Sequence, residues 1–280
     1  NQDLLGGIFG PVVGVNQYTN LYFVIISVFC IEIVINRDTD CKKFRQALII
    51  STCMFATAAF AEIKYFFAEF LVLLLVAYLC LPKKWNSIFG IILIIVGIVV
   101  FYNILIHIFP EFTNLVNELK KGGLTRLIDL QRHYSTDNDI GRAVIFTYSN
   151  QYLLSNKKNQ LIGMGVGNVT SSGIVNNNFW LKNQMTHYDQ FYTSYLYNEQ
   201  GMIGFILYCL IYLEIFIIGL RALLKSKKRK YGTMLIMLVC GCVMVFVYNM
   251  AMYSQLCFIA FWALAVMVKK CIQGEEKERI

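Results

Sequence analysis

Charged residues are scarce in this chain. Asp, Glu, Lys and Arg make up 15% of its 280 residues, whereas soluble domains carry about a quarter, which excludes a solvated surface along its whole length. Histidine is nearly absent, with His107, His133 and His187 the three present. No CxxC pair occurs, so no cysteine zinc site is suggested. No cysteine lies between Cys80 and Cys209, so that long segment has no disulfide of its own. The nine cysteines sit in apolar runs or basic connections and read as small apolar fillers. GxSxG, HExxH and Walker sequences are all missing, which removes three common catalytic signatures. A signal peptide is missing too, and the first residue is Asn1 rather than Met. The expectation is a fragment or trimmed form of a longer protein.

What the chain has instead is apolar mass: 57% hydrophobic residues and a mean hydropathy of +0.56. A spanning helix needs about 20 mostly apolar residues. Seven stretches qualify, roughly 20–36, 46–62, 65–81, 87–109, 201–220, 232–250 and 254–268. The expected fold is an all-α integral membrane protein with about seven transmembrane helices and one large extracytoplasmic loop containing short helices. Residues 1–109 would hold about four spans, 110–200 the loop, and 201–280 about three spans and a short cytoplasmic tail. The second and third spans, separated by Ile63 and Lys64, form a tight hairpin.

Orientation follows from Lys and Arg, which favour the cytoplasmic connections. Arg37, Lys42, Lys43 and Arg45 follow the first span; Lys83 and Lys84 follow the third. Arg221, Lys225, Lys227, Lys228, Arg229 and Lys230 follow the fifth, and Lys269, Lys270, Lys277 and Arg279 the seventh. These alternate connections hold 16 of the 25 basic residues. The net charge of +8 is thus absorbed by topology signals and contacts with anionic lipid, and no nucleic-acid partner is needed.

The 110–200 segment is the unusual element, because loops longer than about 12–15 residues are uncommon unless functional or disordered. Residues 112–121 and 140–155 have helical character, the second after the polar run Ser135-Thr136-Asp137-Asn138-Asp139. A glycine turn follows, Gly163-Met164-Gly165-Val166-Gly167. Its G-x-G-x-G spacing is not a dinucleotide fingerprint; a tight turn packed against a neighbour is its default reading. Tyr188, Phe191, Tyr192, Tyr195 and Tyr197 lead into the fifth span, where interfacial belt aromatics lie.

Cations on the outer side are few. Lys64 closes the hairpin beside Glu62, either as an interfacial anchor or as a fixed cation for a lipid-linked phosphate. Arg142 opens the second loop helix, and arginine's planar fork suits phosphate oxygens. His187, Asp189 and Glu199 precede the fifth span, where each is a candidate proton acceptor. Glu32 and Glu214 fall within spans, towards the cytoplasmic half, at a cost that suggests a role or snorkelling to the interface.

Residues 141–167, GRAVIFTYSNQYLLSNKKNQLIGMGVG, and 187–207, HYDQFYTSYLYNEQGMIGFIL, resemble the O-antigen polymerase and ligase superfamily (Wzy and WaaL type). In that family an arginine opens a helix of a long extracytoplasmic loop, a G-x-G-x-G segment follows, and a polar motif precedes G-x-x-G at the next span. The matching residues are Arg142, Gly163-Gly165-Gly167 and Gly201-x-x-Gly204. Residues 62–66, EIKYF, resemble the family's basic residue at an outer hairpin. The motifs occupy about 50 residues. The chain departs from the ligases in having Gln190 where they carry a histidine, and Lys64 where they carry arginine. Family members have about a dozen spans, so several N-terminal spans are expected to be missing.

The resemblance implies a metal-independent membrane glycosyltransferase of the bacterial cytoplasmic membrane. It would polymerise oligosaccharide repeat units carried on undecaprenyl pyrophosphate into O-antigen or capsule. No cofactor is implied. The implied partners are the lipid-linked glycans, membrane lipids and a chain-length regulator. Arg142 would hold the pyrophosphate, with Lys64, Arg126 and Arg132 as further cations, His187 or Asp189 would be the catalytic base, and the aromatic run at 188–197 would stack on sugar faces unless it serves as an interfacial belt. The alternatives are a glycan ligase, a flippase or transporter of the lipid-linked sugar, and a non-enzymatic scaffold.

Overall fold

Backbone polar groups in lipid have to be satisfied within the segment itself, and an α-helix does this. The computed structural model describes residues 15–35, 41–61, 63–80, 99, 103, 117, 121, 123, 144–171 and 177–273. Every regular element among them is helical. In chain order these are α1 (Asn16–Ile35), α2 (Cys41–Phe60), α3 (Lys64–Cys80), α4 (Ile145–Tyr148), α5 (Lys157–Ile162), α6 (Asn178–Asn183), α7 (Tyr192–Leu224), α8 (Arg229–Tyr248) and α9 (Phe258–Ile272). A π-helical turn, Ser149–Leu153, continues α4, and 3-10 turns at Gln184–Thr186 and Tyr188–Gln190 lead into α7.

Among the described residues four helical stretches are long and apolar enough to cross a membrane: Asn16–Ile35, Tyr192–Leu224, Arg229–Tyr248 and Gln255–Ile272. By length and composition the chain is an integral membrane protein with several spans. The expectation of about seven spans rests on three further stretches. Two are helical, but α2 opens with Lys42, Lys43 and Arg45, and α3 is only 17 residues long. The third, 87–109, lies outside the described residues except for helical 99 and 103. The hairpin is where the sequence predicts it, with α2 ending at Phe60 and α3 beginning at Lys64.

Contacts divide the chain into two compact units. The first comprises residues 1–108, 212–245 and 251–280. Here α1, α2 and α3 meet through aromatic rings: Phe55 lies 4.7 Å from Phe70 and 5.6 Å from both Phe66 and Phe67, while Phe23 lies 5.3 Å from Phe66. Such edge-on and tilted ring pairs add to the stabilisation from burial alone. At the basic ends, Lys230 pairs with Glu32 at 2.8 Å, so this acid of the first span has a partner rather than merely reaching for water.

Lys228 was expected only as a topology charge. It is buried, and its ammonium donates to the Cys271 carbonyl at 2.8 Å and the Ile272 carbonyl at 3.4 Å. Helix ends leave carbonyls without intrahelical donors, and a cation there also favours the helix dipole. Lys228→Met is therefore expected to destabilise the first unit by about 1.5–3 kcal/mol. Lys230→Met, which breaks a pair whose lysine is half-exposed although Glu32 is mostly covered, is expected to cost about 1 kcal/mol. Thermal unfolding of both variants in detergent measures the difference.

The second unit comprises residues 109–211 and 246–250. It takes in the predicted outer loop and the first part of α7. Its core holds Ile145, Leu154, Val169, Tyr188, Phe191, Tyr195 and Tyr197. The aromatic run is thus largely internal: Tyr188, Tyr195 and Tyr197 are no more than 2% exposed, which removes their faces from any sugar.

Candidate functional site

The second unit is organised around residues 194–201 of α7. The helix breaks at Gly201, where φ is 67° and ψ is −168°, a conformation essentially restricted to glycine. The bend folds the Gln200 side chain back so that it fills the place a Gly204 Cβ would take, 2.3 Å from the Gln200 Cβ. Both glycines of the G-x-x-G motif thus serve one kink. It falls at the residue where the sequence predicts the fifth span to begin, but the helix itself starts nine residues earlier, at Tyr192.

The G-x-G-x-G turn closes on this kink. The Met164 N–H donates to the Asn198 carbonyl and the Gly165 N–H to the Glu199 carbonyl, both at 2.9 Å. The Gly167 N–H donates to Glu199 Oε1 at 2.7 Å, and the Tyr195 hydroxyl reaches the same oxygen at 3.0 Å. Gly163 and Gly201 touch backbone to backbone: a Cβ on either would lie within 2.5 Å of the other segment's main chain. The clasp thus joins the two stretches that carry the resemblance.

This geometry answers what the glycine turn does. Gly163, Met164, Gly165, Gly167 and Asn168 all donate their N–H groups within the protein. A phosphate nest needs such donors to be open, so this turn is a structural clasp. Glu199 is likewise engaged: it is buried, and two donors hold its carboxylate. It is a keystone of the clasp rather than a free proton acceptor.

The same part of α7 holds the π-helical turn after α4. Asn198 Nδ2 donates to Ser149 Oγ at 3.1 Å, and the Tyr197 hydroxyl donates to Asn150 Oδ1 at 2.6 Å. From the other side Gln160 Nε2 donates to the Asn150 and Leu154 carbonyls at 3.0 and 2.9 Å. π-turns cost regular hydrogen bonding and occur often at functional sites. Asn198 Oδ1 is buried without a hydrogen-bond partner among the described residues, which leaves an acceptor available inside the unit.

His187, between the two 3-10 turns, and Asp189, within the second, lie on either side of Tyr188. His187 is exposed and has φ 49° and ψ 34°, the single non-glycine residue with positive φ among those described. Asp189 is partly buried. Tyr188 anchors both: it is fully buried and its hydroxyl donates to the Val169 carbonyl. Burial, helped by the neighbouring Asp189 charge, pushes the Tyr188 phenol well above its ordinary range, so it remains a donor. Lys64, the first residue of α3, is exposed and belongs to the first unit. Arg126, Arg132 and Arg142 lie outside the described residues.

The Tyr188 anchor has a pH signature. A phenol near 10 in the unfolded chain and higher in the folded one means that the folded state retains the proton longer. Its stabilisation is complete below about pH 10 and is lost as pH rises from there towards the folded value, by up to about 1.4 kcal/mol per pH unit. Tyr188→Phe is expected to lose this alkaline slope. It also leaves the Val169 carbonyl without its donor, at a cost of about 1–3 kcal/mol at neutral pH. Urea unfolding as a function of pH measures both effects.

Comparison of the chain with family models, with curated proteins and with solved structures found no match.

Proposed function

We propose that the chain is a Wzy-like polysaccharide polymerase. It would join repeat units carried on undecaprenyl pyrophosphate into surface polysaccharide at the outer face of the bacterial cytoplasmic membrane. The observation that supports this most is the clasp. The G-x-G-x-G and G-x-x-G stretches, which carry the resemblance, are held together by Met164, Gly165 and Gly167 N–H donation to Asn198 and Glu199. In this reading the clasp braces the loop segment that follows Arg142. About seven spans, a bacterial membrane location and a chain-length regulator as partner belong to the same reading.

The chemistry is a glycosyl transfer. An acceptor hydroxyl oxygen attacks the anomeric carbon of the growing glycan, and the bond from that carbon to the pyrophosphate oxygen breaks. The electron pair leaves with the pyrophosphate, whose growing charge Arg142 offsets, with Lys64, Arg126 and Arg132 as further cations. The hydroxyl proton goes to a base. His187 is the better candidate, because it is exposed and its left-handed backbone is unusual for a non-glycine residue, and held conformations of that kind cluster at working sites. Asp189 is the alternative. The leaving group is already activated, so the reading calls for neither nucleotide nor metal.

Gel analysis of surface polysaccharide from cells lacking the full-length gene tests the proposal. Single repeat units in place of a ladder, with the ladder restored by the wild-type gene, is the expected result. Long polymer left on its lipid carrier would make the protein a ligase. Loss of single units from the outer face would make it a flippase.

A further inference from the structure

The sequence places a third acid within an apolar run, Glu69 in Phe66-Phe67-Ala68-Glu69-Phe70-Leu71. Its side chain is 0% exposed, neither carboxyl oxygen makes a hydrogen bond of ordinary geometry among the described residues, and the Asn20 amide is the polar group within its reach. Asn20 of α1 lies beside it, 1% exposed, with its amide nitrogen and oxygen equally without oriented partners. Glu69 forms no ion pair among the described residues, so no basic side chain there balances a charge on it.

The surroundings are closed and apolar. One turn further along each helix, Val24 and Leu73 lie against Gly241 of α8, so closely that a Cβ at 241 would come within 2.4 Å of Val24 Cγ1. The next residue of α8, the buried Cys242, is the titratable group that this helix brings near Glu69. From α2 the contact with α3 is the Phe55 ring on Phe66, Phe67 and Phe70. α1 contributes the neutral Asn20.

An ionised carboxylate isolated in such a place is costly, so it takes up a cation or a proton. A hard metal cation wants about six oxygens, and Glu69 with Asn20 offers one carboxylate and one amide oxygen. Among the described residues no cluster of His, Cys, Asp and Glu is fit to hold a metal ion. A proton needs only one acceptor, and the Asn20 amide oxygen supplies it. We propose that Glu69 of α3 and Asn20 of α1 form a proton-binding site in the helix packing of the first unit. The carboxyl holds the proton and donates to Asn20 Oδ1. Release yields the carboxylate and one proton, with no other reactant.

Infrared difference spectroscopy of the purified full-length chain tests this. Wild type against Glu69→Gln is expected to show the C=O band of a neutral carboxylic acid that the variant loses entirely. Asn20→Leu is expected to shift that band without removing it. Loss of carboxylate bands instead, in Glu69→Gln, would overturn the proposal. Gln keeps the shape and neutrality of the protonated acid and is expected to fold. If it does not, an apolar carbodiimide on the wild-type chain gives the answer, because it reacts with the protonated acid. Modification of Glu69, read by peptide mass, supports the site; an unmodified Glu69 beside labelled acids elsewhere in the chain overturns it.

Discussion

Gly201→Ala is expected to unfold the second unit or leave it without its clasp. At φ 67° and ψ −168° an alanine is strained wherever it is put. Here its Cβ would also lie 2.4 Å from the Gly163 nitrogen and from the Leu161 carbonyl carbon and oxygen. These are main-chain atoms and cannot rotate away. Gly163→Ala attacks the same contact from the other side, with a Cβ 2.2 Å from the Glu199 carbonyl oxygen. Relief requires the turn to lift off α7, which breaks the hydrogen bonds from Met164 and Gly165 and exposes Glu199. Strain, overpacking and lost hydrogen bonds together amount to more than about 4 kcal/mol, a large share of the roughly 5–15 kcal/mol that holds a domain folded. The two substitutions are expected not to add, because either one removes the whole contact. Gly167→Ala is the control: its φ is 79° but a Cβ there meets nothing within 4 Å, so only backbone strain of about 1–3 kcal/mol remains. Limited proteolysis within residues 144–171, scored beside thermal unfolding, separates the three.

Arg142→Ala is expected to abolish polymer while leaving the protein present in normal amounts. The resemblance gives this residue the leaving pyrophosphate. Removing one preorganised donor from a developing charge lowers rates about 10²–10³-fold. A polymer ladder multiplies that deficit, because each added unit repeats the step. Arg142→Lys is expected to restore less than the wild type, since an ammonium lacks the fork that binds two oxygens at once. Lys64→Ala, at an exposed position of the hairpin, is expected to shorten the ladder rather than remove it. Quantitative gels normalised to protein level check all three. An unchanged ladder in Arg142→Ala would remove the pyrophosphate assignment.

The four long apolar helices among the described residues, of about seven spans expected, were readable from the sequence because hydropathy is a bulk property of about 20 residues and does not depend on who packs where. The α2–α3 hairpin was readable for the same reason. The start of α7 was not. Gly201 interrupts an otherwise helical stretch, and an internal glycine reads as a boundary, whereas in the fold it is a kink with helix on both sides. The aromatic run shows a second limit. Tyr188, Tyr195 and Tyr197 are large amphipathic side chains that suit a core, a membrane belt or a sugar face equally well. Only the partners of their hydroxyls, the Val169 carbonyl, Glu199 and Asn150, decide for the core. Glu199 was visible as an acid beside the fifth span, but its two donors come from residues 167 and 195, one of them distant in sequence. Glu69 stands plainly in an apolar run; its position alone was the signal, and its missing partners emerge only from the packing of α1, α3 and α8.

The most direct measurement of the central claim is a reaction with defined components. The purified full-length protein in lipid is incubated with undecaprenyl-pyrophosphate-linked repeat units, with a chelator present and no nucleotide. The account predicts a ladder of lipid-linked oligomers, formed by wild type and not by Arg142→Ala. Unchanged single units with folded wild-type protein would contradict it.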